Sequence, residues 1–204
     1  MSSGNNRRIL ESFADLLSFP AGGLAASLRE AEVLAADYDS EASAALGRFR
    51  SFVQAAAPGR LEEIFSETFD LDPVCHPYVG AHLFGESYKR SVFIVKLREH
   101  YRASGQADSR ELPDHLALIL RFLAVCAEPE FAAELAREAV LPALEKMAGV
   151  GVPAQSETGT GHAENGAERD PERAVYLYVI RALSLVLGRL YPASVEQNAR
   201  RVEG

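Results

Sequence analysis

The run RELPDHLALILRFLAV, residues 110–125, sets the fold class. Its last ten residues, Leu116–Val125, are apolar apart from Arg121. A membrane-spanning helix needs about 20 such residues, so this segment reads as a buried helix of a water-soluble core. Pro113 fits the first position of that helix, where a missing N–H costs nothing. The helix is then expected to run from Pro113 to about Ala127, with Asp114 and His115 in its first turn. Exposed N–H groups and the positive dipole end gather there, which suits Asp114 and disfavours a charged His115 unless a carboxylate such as Glu111 compensates it.

The same helical spacing extends in both directions. Ile9, Leu10, Phe13, Leu16 and Leu17 recur three and four residues apart and form one apolar face, stopped by Pro20. Leu24, Leu28, Ala31 and Ala35 mark a second helix. Asp39-Ser40 can cap a third, striped by Ala42, Ala45, Leu46, Phe49, Phe52 and Val53 and ended by Pro58-Gly59. Leu61, Ile64, Phe65 and Phe69 make a short fourth face.

Asp70–Glu86 follows as an irregular, aromatic- and His-rich stretch broken by Pro73, Pro77, Gly80 and Gly85. Ser87 can cap a long helix to about Ser104, with Phe93, Ile94, Leu97 and Tyr101 inward and Gly105 at its C-terminal cap. Gln106–Leu112 reads as a polar loop. Pro129 opens another helix, which Pro142 must kink or interrupt. Residues 149–169 hold five glycines and no apolar period, and read as a long mobile loop. Asp170-Pro171-Glu172 caps a last helix, apolar on most of its surface from Val175 to Leu190 and therefore buried. Residues 192–204 read as a frayed tail. No stretch alternates like a strand. The expected architecture is all-α, a single-domain bundle of about eight to ten helices.

Composition narrows the function. The 204 residues carry a formal charge of −8, with 48% hydrophobic and 25% charged residues. A chain of this size buries roughly 70% of its unfolded surface and needs no staple. The acidic balance argues against a nucleic-acid partner, which demands a basic footprint. Two distant cysteines, Cys75 and Cys126, fit a reducing compartment. Arg7-Arg8 could open an export signal, but Glu11 and Asp15 interrupt the required apolar region. A cytoplasmic protein without a membrane span is expected. Cys75, His76, His82 and Asp72 match no metal-ligand spacing well, and no catalytic signature is present. The expectation is a protein that is not an enzyme, with neither cofactor nor metal.

Three blocks of sequence carry a resemblance. Glu111-x-Pro113-Asp114-His115, heading an apolar helix, resembles the E-x-P-D-H hallmark of the TorD/DmsD/NarJ family of molybdoenzyme assembly chaperones. The likeness leans to the NarJ branch, the nitrate reductase delta subunits. Leu61–Leu71 is similar to that branch's Y-V-x-T-F-D block, and His82-Leu83-Phe84-Gly85-Glu86-Ser87 is similar to its H-x-F-G-D-S block. Arg110–Leu116 with Phe122-Leu123 is similar to its R-E-L-P-D-x-L…F-L block. The broader family's aromatic-x-x-Leu-Phe motif departs here, because Gly80 stands three before Leu83 and Tyr78 stands two residues earlier.

The resemblance implies an all-helical cytoplasmic chaperone, without catalysis, that binds the N-terminal peptide of an apo molybdopterin-enzyme catalytic subunit. That peptide is a twin-arginine signal or its vestige, and binding precedes molybdenum cofactor insertion. The client is expected to be a nitrate reductase or a relative acting on selenate, chlorate or hydrocarbons. Cofactor-delivery proteins are further candidate partners, and monomer and dimer both stay open. The expected peptide site is Tyr78, His82, Leu83, Phe84, Glu86, Glu111, Pro113, Asp114 and His115. In it Phe69, Tyr78 and Phe84 form groove walls, and Glu111 and Asp114 hold basic residues. Leu116, Leu120 and Phe122 are expected in the core. If His115 touches the peptide, affinity should change near pH 6. The rival reading is an acidic all-α adaptor unrelated to molybdoenzymes.

Overall fold

The computed structural model describes residues 3–20, 22–69, 75–106, 109–149 and 171–192. The expected loop at 149–169 and tail at 192–204 therefore lie, apart from Gly149 and Pro192, outside the described residues, as does Asp170. Among the described residues the chain is all-α, with no named strand. Among the described residues, no helix is long and apolar enough to cross a membrane.

The helices are α1 (Ser3–Leu16), α2 (Leu24–Ala35), α3 (Ser40–Ala55), α4 (Arg60–Phe69), α5 (Val79–Phe84), α6 (Tyr88–Ala103), α7 (Leu116–Val125), α8 (Pro129–Glu134), α9 (Leu141–Gly149) and α10 (Tyr176–Leu190). Their apolar faces build one core. α1 packs on α2 and α7, α3 lies between α2 and α10, and α10 also packs on α9. α10 sinks Tyr176, Val179, Ile180, Leu183, Val186 and Leu187 with no exposed surface. Each such aliphatic side chain contributes about 1.5–3 kcal/mol of burial. Arg181 and Arg189 stay at the rim, paired with Glu41 and Asp39 at the start of α3. Asp39 also caps α3 by accepting from the Glu41 N–H at 2.9 Å, and that bond holds its carboxyl below the usual range.

The local signals act where the chemistry requires them. Gly105 takes φ +75° after α6, and the Gln106 N–H reaches back to the Tyr101 carbonyl at 2.9 Å. That closes a left-handed helix end which a side chain would strain. Pro142 does interrupt its helix. The turn before it, Leu135–Val140, widens to a π-helix between α8 and α9, because a proline ring crowds the carbonyl four residues back and offers no N–H. One stretch departs from the sequence reading in kind. Val79–Phe84, expected as irregular, forms the short α5.

Candidate functional site

Two chain segments cross at the head of α7. The Val79 N–H donates to the Asp114 carbonyl and the Leu116 N–H to the Pro77 carbonyl, both at 2.8 Å. Tyr78 and His115 thereby form an isolated antiparallel bridge. The bridge holds His115 extended, at φ −65° and ψ 128°. α7 consequently starts at Leu116 and not at Pro113, so Asp114 and His115 lie outside its first turn. A tertiary pairing has overridden the local proline signal. His115 is the N-cap residue, and its Nδ1 accepts from the Ala117 N–H at 3.2 Å.

Beneath the bridge lies a buried ion pair. The Asp114 side chain is fully buried and its Oδ2 accepts from Arg90 Nε at 2.9 Å. Among the described residues its Oδ1 accepts no hydrogen bond. Arg90 also donates to Glu86 and lies over the Tyr78 ring, 5.6 Å from its centroid, a cation–π geometry. The Tyr101 hydroxyl donates to the Pro113 carbonyl at 2.8 Å. Burial, with Asp114 adding, pushes that phenol well above its ordinary value. Gly80 leaves the space for all this. A Cβ there would stand 2.7 Å from Asp114 Oδ2 and 3.1 Å from Arg90 Cγ. The residue three before Leu83 must therefore lack a side chain.

Above the bridge, Tyr78 meets His115 edge to face at 5.5 Å and donates to Glu111 Oε2 at 3.2 Å. These three side chains form one wall of a groove of about 410 Å³. Its other walls are Phe19 at the end of α1, Phe65 on α4, and Leu118 and Arg121 on α7. Phe19 is 57% exposed and rests edge-on against Phe65 at 5.7 Å. Arg121 pairs with Asp15 across the groove end at 3.0 Å.

The predicted residues thus separate. Tyr78, Glu111 and His115 line the groove, and Pro113 and Asp114 support it from below. Asp114 is not open to a basic ligand as expected, because Arg90 already occupies its Oδ2. Glu86 is exposed and joins only through Arg90. His82, Leu83 and Phe84 lie on α5, away from the groove. Leu83 packs on the core, and Phe84 meets Phe93 edge-on at 5.7 Å. His82 Nε2 bonds the His76 carbonyl at 2.7 Å, while the His82 carbonyl accepts from Lys146 at 2.7 Å. Burial holds the His82 imidazole below its ordinary value. Phe69 is buried beside Phe65 and Tyr176, so it is core and not a wall. Leu116, Leu120 and Phe122 are core as expected.

Sequence reasoning missed Arg90, Gly80, Tyr101 and Phe19 as site residues. For Arg90 a signal existed. It shares helical spacing with Phe93, Leu97 and Tyr101, and an arginine on an inward face needs a partner. Of the residues once considered as metal ligands, Asp72 lies outside the described residues, and Cys75 is buried with its thiol pushed up to about 12.

Fold and site together define an all-helical protein with an open groove over a buried ion pair. Among the described residues no cluster of metal-ligating side chains accompanies it. The chain belongs to the nitrate reductase delta subunit family, whose model matches residues 35–149. Over 119 residues it is 34% identical to the nitrate reductase molybdenum cofactor assembly chaperone NarJ of Escherichia coli K12, covering 56% of this chain and 50% of that one. The counterpart in Escherichia coli O157:H7 matches equally. The chain spans about half the length of the curated relatives it matches.

Proposed function

We infer that this chain is a cytoplasmic assembly chaperone, not an enzyme, for a molybdenum-containing nitrate reductase or a close relative. It binds the N-terminal peptide of the apo catalytic subunit and keeps that subunit from export or docking until the cofactor is inserted. The observation that carries this reading is the groove itself. Exposed Phe19 and half-buried Leu118 offer an apolar seat for one face of an amphipathic peptide. Glu111 stands at the rim to meet a basic residue of that peptide, and the chain's charge of −8 draws such a peptide in.

Tyr78 and His115 contact the peptide. Pro113, Asp114 and Arg90 act as positioning residues that fix the bridge. His82, Leu83 and Phe84 on α5, and Glu86 in the turn after it, extend the binding surface where the peptide runs beyond the groove. His115 uses Nδ1 as an acceptor at the cap, so protonating that atom removes the bond. Peptide affinity is therefore expected to change as pH crosses the imidazole range, and His115→Gln should reduce that change. The test of function is a pull-down of tagged protein from native cytoplasm under nitrate-respiring growth, wild type beside Glu111→Gln/Tyr78→Ala. Capture of a large molybdopterin subunit by the wild type, reduced in the variant, supports the chaperone and its site. Its absence from both would favour the adaptor reading.

A further inference from the structure

α6 carries a surface that the groove does not use. It is a 16-residue helix with five basic residues against one acidic residue, Glu99, in a chain whose formal charge is −8. Inward it buries Leu97 and Tyr101, and among the described helices it packs chiefly on α5. Outward, Tyr88 is 82% and Val95 54% exposed, with half-buried Val92 between them. The spacing 88, 92, 95 is the alternating four-and-three step of a two-helix seam. Lys89 and Lys96 follow the seam on one side and Arg98 on the other, all exposed. These are the positions that form ion pairs across a helix pair.

We propose that the outer face of α6 docks an acidic amphipathic helix of a partner protein, seated on Tyr88, Val92 and Val95 and paired with Lys89, Lys96 and Arg98. A basic client peptide is repelled by this face, so the partner differs from the groove's ligand. An anionic membrane fits less well. The apolar stripe spans about two turns, carries one aromatic, Tyr88, but none of the Trp, Phe or Leu that interfacial helices use, and has Glu99 next in line.

The test uses the full chain and a synthetic helical peptide of about three heptads, with leucine at seam positions and glutamate at the flanks. The controls are its lysine-for-glutamate twin and phosphatidylglycerol vesicles. The wild type should bind the acidic peptide and neither control. Lys89→Glu/Lys96→Glu should bind it at least about tenfold more weakly with an unchanged unfolding midpoint, while Glu111→Gln should bind it normally. Equal binding of both peptides, an unaffected charge-reversal variant, or binding to vesicles would overturn the proposal. In cells, a photo-crosslinking amino acid in place of Tyr88 should mark an acidic helical segment of another protein. Adducts only with lipid, with a second copy of this chain or with a basic N-terminal peptide would contradict it.

Discussion

The α1–α3–α10 core and the Tyr78–His115 crossing are both buried, but they are held by opposite means. In the core, Phe49, Tyr176 and the leucines of α10 exclude water with non-directional apolar area, which tolerates repacking. At the crossing, Asp114 and Arg90 sit in a space shaped by Gly80, held by a directional bond between Asp114 Oδ2 and Arg90 Nε. A buried pair of this kind is weak as a source of stability but costly to break from one side. The core holds the molecule together, and the crossing fixes where Tyr78, Glu111 and His115 stand. Stability and binding should therefore come apart under mutation.

The largest effect on stability belongs to the core. Phe49→Ala removes a ring packed 5.0 Å from Tyr176 and should cost about 3–5 kcal/mol in urea unfolding. The folded fraction should keep its peptide affinity, and a parallel loss of affinity would blur the division. Asp114→Ala should cost about 3 kcal/mol by removing the buried partner of Arg90 and should also weaken peptide binding. Asp114→Asn should recover part of the stability. Gly80→Ala comes next, at about 1–3 kcal/mol, because its Cβ meets Asp114 Oδ2 at 2.7 Å. If it proved neutral, the crossing would be looser than described.

The smallest effects are at the surface. Glu111→Gln should change stability by less than about 0.5 kcal/mol. The pH effect rests on His82, which burial holds below 6.5. As pH falls through that value the unfolded chain protonates first, so stability drops and then levels once the folded imidazole titrates. The charges of His76 and Lys146 act in the same sense, while the hydrogen bond to the His76 carbonyl opposes it in part. His82→Gln should flatten the slope in chemical unfolding followed between pH 7.5 and 5.

The division also explains what could be read from the sequence. Ile9, Phe13 and Leu16, or Val179, Leu183 and Val186, announce their burial by spacing alone, because period and burial are local properties of a helix. Gly105 and Asp39 announce helix ends for the same reason. The crossing is not local. Arg90 finds Asp114 across 24 positions, and the Pro77–Val79 strand-like pairing takes the residues that Pro113 would otherwise send into a helix. α5 escaped notice because its six residues include a glycine and make less than two turns, too few for a period to show. Phe19 escaped because it stands beyond its helix, where spacing carries no information. The E-x-P-D-H run was visible as a special place, but burial divided its carboxylates between a rim and a support.

The most direct test of the account is a calorimetric titration of a synthetic N-terminal peptide of a nitrate reductase catalytic subunit into three proteins: wild type, Glu111→Gln and Phe49→Ala. The account predicts measurable binding by the wild type and binding about tenfold weaker for Glu111→Gln. It predicts wild-type affinity for the folded fraction of Phe49→Ala. Equal affinity in Glu111→Gln, or no binding by the wild type, would contradict it.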